Sequence, residues 1–161
     1  MPDNKAVSEF TRCCRSSRWA AEMVRRRPFR NTEELADMAD AVWNELGPAD
    51  WKEAFAHHPQ IGDKESLRKK FASTKQWAEG EQSGIEAASD EVLQGLTDGN
   101  EKYRRKFGYI FIVFASGKSA DEMLQILRTR MKNRPEDELL TAGEEQRKIT
   151  RLRLQKLIHE A

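Results

Sequence analysis

The stretch Tyr109-Ile110-Phe111-Ile112-Val113-Phe114-Ala115 decides the fold class. Short, β-branched and aromatic, it has the composition of a strand. A strand needs a partner, and no second segment of the chain has a pattern able to pair with it. Alone, its amides and carbonyls would be left without hydrogen bonds. A buried extended passage between two helices resolves the conflict, and the chain is then all-α. Buried irregular backbone offers its polar groups to whatever cavity it lines, as ligand sites often do. Core filling is the other reading of the same residues.

Outward from this passage the sequence reads as a series of helix starts and stops. Gly108 is an end cap for a helix that begins after Ser89 and carries Val92, Leu93, Leu96, Tyr103 and Phe107, with Gly95 and Gly99 weakening its middle. Ser119 with Glu122 forms a capping box ahead of Met123, Leu127 and Met131, and Pro135 opens a last helix running to about Ile158. Upstream, Asn31 with Glu34 starts a helix bearing Leu35, Met38, Val42 and Leu46, which Gly47-Pro48 stops. Asp50 caps a short helix with Trp51, Ala54, Phe55 and His58 on one face, ended by Pro59. Two shorter helices occupy 7–14 and 17–25. The expectation is a single compact all-α domain over residues 1–161 with one buried extended segment near 109–115.

Composition removes several classes. Lys and Arg total 28 against 27 Asp and Glu, a net charge of +1, where a dedicated nucleic-acid binder carries a basic excess. Nine Gly and five Pro are too few for a turn-rich sandwich or barrel. The longest apolar run is 109–115, far short of the roughly 20 residues of a membrane span. Cys13 and Cys14 are sequence neighbours that do not pair with each other, which fits a reducing compartment and core packing beside Phe10. With no signal pattern at the start and no peroxisomal tripeptide at the end, the cytoplasm is expected. Three His without metal-ligand spacing, and the lack of glycine-rich phosphate loops or a nucleophile elbow, leave no metal or nucleotide cofactor expected.

Polar residues on hydrophobic stripes are the informative exceptions, because charge is rarely buried unless paired or employed. His58 follows Trp51, Ala54 and Phe55 at helical spacing and faces inward at a helix C-terminus, where the dipole favours its protonated form. A lone inward histidine is more often a satisfied core residue than a catalyst. His57 lies on another face, four residues after Glu53, in the position of a solvated ion pair. Glu81 shares a stripe with Trp77, Gly84, Ile85 and Ala88 if that segment is helical, with Gln82 beside it and Gly80 and Gly84 allowing close approach; a surface loop is the plainer reading. Arg153 follows Leu139, Ala142, Gln146 and Ile149 and precedes Leu157 on the last helix, whereas Arg151 points to a solvated face. A buried guanidinium requires an anion, internal or bound, and the internal salt bridge is the commoner case. A proton carrier, a carboxylate and an anion clamp together suit acid–base chemistry on a carboxylated substrate.

Several ordered motifs then resemble one family. They are Arg18-Trp19-Ala20, Arg27-Pro28-Phe29, His58-Pro59-Gln60-Ile61-Gly62, Gly80-Glu81-Gln82-Ser83-Gly84, the Asn100–Tyr103 stretch leading into Lys106-Phe107-Gly108-Tyr109, Arg130-Met131-Lys132-Asn133, and ITRLRL from Ile149 to Leu154. Over nearly the whole chain these resemble the OHCU decarboxylases. Those enzymes act on 2-oxo-4-hydroxy-4-carboxy-5-ureidoimidazoline (OHCU), the unstable last intermediate between urate and allantoin. The resemblance implies an all-α homodimer, no cofactor, and carboxy-lyase chemistry giving (S)-allantoin. It places the catalytic histidine at His58, before Pro59, the Glu-Gln pair at Glu81 and Gln82, and the carboxylate-binding arginine at Arg153. It further implies substrate binding through Pro59 and through the backbone of Phe111, Ile112, Val113, Phe114 and Ala115.

One position departs from the pattern. The family often has Ser three residues before the glutamate, and here Ala78 stands there. A lost hydroxyl contact costs about 0.5–1.5 kcal/mol, which weakens binding without abolishing activity. Ala78 leaves room for a rival, a helical binder of a purine-like ligand without catalysis. A helical interaction module has no need of inward His, Glu and Arg on three segments. An RNA-binding domain would show salt-sensitive retention on nucleic acid, which the balanced charge disfavours.

Overall fold

The computed structural model describes residues 1–58 and 89–160; these contain seven helices and no strand. In chain order they are α1 (Asp3–Cys13), α2 (Ser17–Arg25), α3 (Thr32–Glu45), α4 (Pro48–Ala56), α5 (Asp90–Phe107), α6 (Ala120–Arg130) and α7 (Pro135–Glu160). All the expected caps but that of Asp50 are in place. Asn31 Oδ1 accepts the Glu34 amide at 2.7 Å, Ser89 Oγ the Val92 amide at 3.2 Å, and Ser119 Oγ the Glu122 amide at 3.2 Å. Gly108 ends α5 in the left-handed region, at φ 86°. Residues 109–115 form neither helix nor strand, with Tyr109 and Ile112 buried and the rest half-buried, as the reading of that stretch required. No described helix is long and apolar enough to cross a membrane.

Two helix starts differ from expectation. α1 begins at Asp3, four residues before the predicted start. α4 begins at Pro48, because proline suits the first helical turn and Gly47 takes the cap position. Asp50 therefore sits inside the first turn, its carboxylate accepting the Gly47 amide at 3.4 Å. Proline at this point starts a helix as well as following the end of α3.

Contacts divide the described chain into two units, one holding 1–58, 112–114 and 139–160, the other 89–111 and 115–138. In the first, α2 packs against α1, α3 and α4. Trp19, Met23, Val42 and Phe55 are fully buried there, and the Trp19 indole N–H donates to the Ala39 carbonyl at 3.1 Å. The rings of Trp43 and Trp51 stack 5.8 Å apart, and Trp43 Nε1 donates to the Gly143 carbonyl of α7 at 2.9 Å. Cys13 and Cys14 are buried free thiols, and burial pushes both up to about 11.

In the second unit α5 packs on α6 through Gly95 and Gly99, which lie against Leu124 and Leu127. A Cβ at Gly99 would come within 2.5 Å of Leu127 Cδ2, so the glycines that weaken α5 as an isolated helix are what permit the close approach. Glu138 is wholly buried in this unit. It accepts from Arg130 Nε at 2.9 Å and Nη2 at 2.6 Å, from Asn133 Nδ2 at 3.0 Å, and from the Tyr103 hydroxyl. The Arg130 guanidinium also lies over the Phe111 ring, 4.7 Å from its centroid.

Removing one partner of a buried pair strands the other's charge. Glu138→Ala is therefore expected to lower unfolding stability by about 3–5 kcal/mol in urea titration. Glu101→Ala, which breaks an exposed pair with Arg105, should cost less than about 1 kcal/mol. The thiols give a second expectation. Unfolded, each ionises near the ordinary thiol value of 9.0, but folded only near 11, so over that range the unfolded state binds fewer protons and stability falls as pH rises. The loss should be on the order of 1–2 kcal/mol per thiol, and Cys13→Ala with Cys14→Ala should flatten it in thermal melts between pH 9 and 11.

Candidate active site

The end of α4 delivers the first site residue. The helix stops at Ala56, and His58 follows in a turn with its amide donating to the Phe55 carbonyl at 3.3 Å. Its ring is half-buried, and Nε2 is hydrogen-bonded to Oε1 of Gln146 on α7. Gln146 is itself 1% exposed, and its Nε2 donates to Thr150 Oγ1 at 3.1 Å. His57, one residue earlier, is exposed. The expected ion pair between Glu53 and His57 does not form. Glu53 instead accepts the Ser17 amide and hydroxyl, each at 2.7 Å, which holds its carboxyl below the usual range and fixes the start of α2 against α4.

The buried stripe of α7 departs from the predicted one near its end. Ala142 and Gln146 are buried as expected, but the next buried positions are Thr150 and Leu154, not Ile149 and Arg153. The observed stripe runs Glu138, Ala142, Gln146, Thr150, Leu154, advancing by four each time. Because a turn has 3.6 residues, such a stripe winds slowly around the helix. Arg153 is consequently half-buried, at the edge of the stripe.

Its described surroundings hold other charges of α7. Arg147 and Arg151 both reach Asp40, at 3.1 and 2.8 Å, so Arg151 is ion-paired and not simply solvated. Arg153 has no carboxylate partner among the described residues; its one hydrogen bond is Nη1 to the Cys13 carbonyl, at 3.4 Å. The internal salt bridge that would have explained it is absent there.

Of the predicted backbone segment, Ile112–Phe114 belongs to the same unit as His58 and Arg153, whereas Phe111 and Ala115 belong to the other. The Phe114 amide donates to Glu145 Oε1 at 3.2 Å, and Glu145 also pairs with Lys148 at 2.8 Å. Pro59, Ala78, Glu81 and Gln82 lie outside the described residues. The described residues contain no group of three or more His, Cys, Asp and Glu side chains able to hold a metal. Sequence reasoning passed over Gln146, Thr150 and Glu145. Gln146 stood on the predicted stripe, and a glutamine there was the available signal.

A half-buried imidazole held by Gln146 and a guanidinium with no carboxylate partner among the described residues therefore share one unit. Such a pair can move a proton and bind an anion. Comparison with known proteins supplies the family. A family model described as OHCU decarboxylase matches residues 1–155. The chain is 38% identical over 152 residues to the uric acid degradation bifunctional protein TTL of Arabidopsis thaliana, covering 94% of this chain but 47% of that protein. It thus spans about half the length of that relative. It is 26% identical over 155 residues to the 2-oxo-4-hydroxy-4-carboxy-5-ureidoimidazoline decarboxylase of Haloferax volcanii, covering 96% and 89% of the two chains. A crystal structure of OHCU decarboxylase in the presence of (S)-allantoin superposes with a TM-score of 0.75 at 39% identity, over 92% of this chain and 96% of that one. With the family model matched over residues 1–155 and this structural agreement, the chain belongs to the OHCU decarboxylase family.

Proposed function

We propose that this chain decarboxylates OHCU to (S)-allantoin without a cofactor, with His58 as general acid/base and Arg153 as the anion clamp. The observation that carries the reading is Arg153. It is a half-buried cation that no described carboxylate neutralises, seven residues along α7 from the glutamine that holds His58. Residues at i and i+7 share a helix face, and the rise between them is about 10 Å, the scale of a small ureido-imidazoline.

The substrate supplies its own electron sink. As the C4–carboxylate bond breaks, its electron pair forms a C4–C5 double bond, and the former C=N pair settles on the ring nitrogen, which takes a proton. The enol hydroxyl then gives up its proton as C5 gains one, and the face of C5 that gains it sets the configuration. Arg153 holds an anionic group of the substrate, and His58 exchanges a proton with the C4 hydroxyl or with C5. Glu81 and Gln82 complete the reading by positioning the ureido and ring nitrogens, and the backbone of 111–115 with Pro59 forms the remaining wall. The working form is taken as a homodimer in the cytoplasm. Sedimentation at micromolar concentration tests the dimer, and a monomer alone would remove it.

Variants separate the roles. His58→Asn should lower kcat by roughly 10²–10⁴-fold with an unchanged melting temperature, and His57→Asn should stay near wild type. Arg153→Ala should act mainly on KM, raising it roughly 10- to 100-fold, with Arg153→Lys in between. Retained turnover in His58→Asn contradicts its role. Ala78→Ser should lower KM modestly; a binder without catalysis, the reading Ala78 leaves room for, would show no turnover in any of these proteins.

A further inference from the structure

Gln146 is nearly inaccessible to solvent and is committed on both sides of its amide, to His58 through Oε1 and to Thr150 through Nε2. Thr150 uses its hydroxyl differently from three other helical threonines. Thr11, Thr97 and Thr129 each donate their hydroxyl to the carbonyl four residues back, at 2.7, 2.9 and 2.9 Å. Thr150 makes no such bond among the described hydrogen bonds; its oxygen accepts from the Gln146 side chain instead. Its hydroxyl also lies beside the buried Cys14 thiol, which burial keeps protonated up to about 11, so no charge forms at this end in the neutral range.

We infer that Gln146, oriented by Thr150, is a positioning residue that sets the tautomer of His58. A carboxamide oxygen only accepts hydrogen bonds. With Gln146 Nε2 spent on Thr150, Oε1 is the atom turned to the imidazole, and His58 Nε2 must carry a proton. The neutral ring is then the Nε2–H form, with Nδ1 as its basic nitrogen. A neutral amide accomplishes this without stabilising the imidazolium as a carboxylate would, so the ring both takes and returns a proton. Neither Gln146 nor Thr150 needs to touch substrate.

The inference rests on His58 being the acid/base, and its test separates the two claims. The direct readout is the ¹⁵N spectrum of the labelled full-length protein at a pH where the ring is neutral, with His58→Asn assigning its signals among the three histidines. Wild type should show protonated Nε2 and unprotonated Nδ1. Gln146→Leu should give a mixture of tautomers and a kcat lowered roughly 10- to 100-fold, with KM within about threefold. Thr150→Val should shift the spectrum in the same direction with a smaller loss, and Thr150→Ser should restore both. A wild-type ring in the Nδ1–H form, or a spectrum unmoved by both Gln146→Leu and Thr150→Val, overturns the inference whatever the turnover. A moved spectrum with unchanged kcat in both variants overturns the catalytic consequence while the tautomer assignment stands. Should Gln146→Leu fold poorly, Thr150→Val and Thr150→Ser decide alone.

Discussion

A helix that buries polar side chains must provide each of them with a partner, or lose several kcal/mol per group. α7 buries Glu138, Gln146 and Thr150 on one slowly winding stripe. In one unit Glu138 is met by Arg130, Asn133 and Tyr103. In the other, Gln146 is met by His58 and Thr150. The first set pairs a fully buried carboxylate with a buried guanidinium, which fits a structural role. The second ends on an imidazole that is only half-buried, and an imidazole is a group that can work.

The arginines of α7 follow the same logic with charge. Asp40 holds Arg147 and Arg151, so those guanidinia tie α3 to α7. Among the described residues Arg153 has a carbonyl, not a carboxylate, as its partner. Coulomb attraction from an incoming carboxylate is not opposed there by a resident described anion, which is the condition an anion clamp must meet. Among the described residues the want of a carboxylate beside Arg153 thus weighs more in the proposed role than its burial, which is only partial.

Much of this was legible in the sequence because the signals were local. Caps at Asn31, Ser89 and Ser119 depend on one side chain and one amide each, the Gly108 cap on its own backbone, and all formed. The strand-like composition of 109–115 was overridden for a non-local reason, the want of a partner, and this too held among the described residues. Apart from the starts of α1 and α4, what failed depended on neighbours remote in sequence. The stripe of α7 drifts because it advances by four residues on a helix of 3.6 per turn, whereas steps of three and four placed Ile149 and Arg153 where Thr150 and Leu154 lie. Glu53 was assigned to His57 by spacing along one helix, whereas Ser17, 36 residues away in sequence, claims it. Gln146 escaped notice because an uncharged amide on a stripe raises no alarm until its partner is known to be a histidine. The Glu81-Gln82 pair lies outside the described residues, so its part rests on the chemistry argued from the family pattern.

Circular dichroism of urate converted by urate oxidase and hydroxyisourate hydrolase, with and without this protein, tests the central claim most directly. The account predicts rapid growth of an optically active (S)-allantoin signal in the presence of the chain. A signal that stays at the slow, racemic background, from protein shown to be folded, would contradict it.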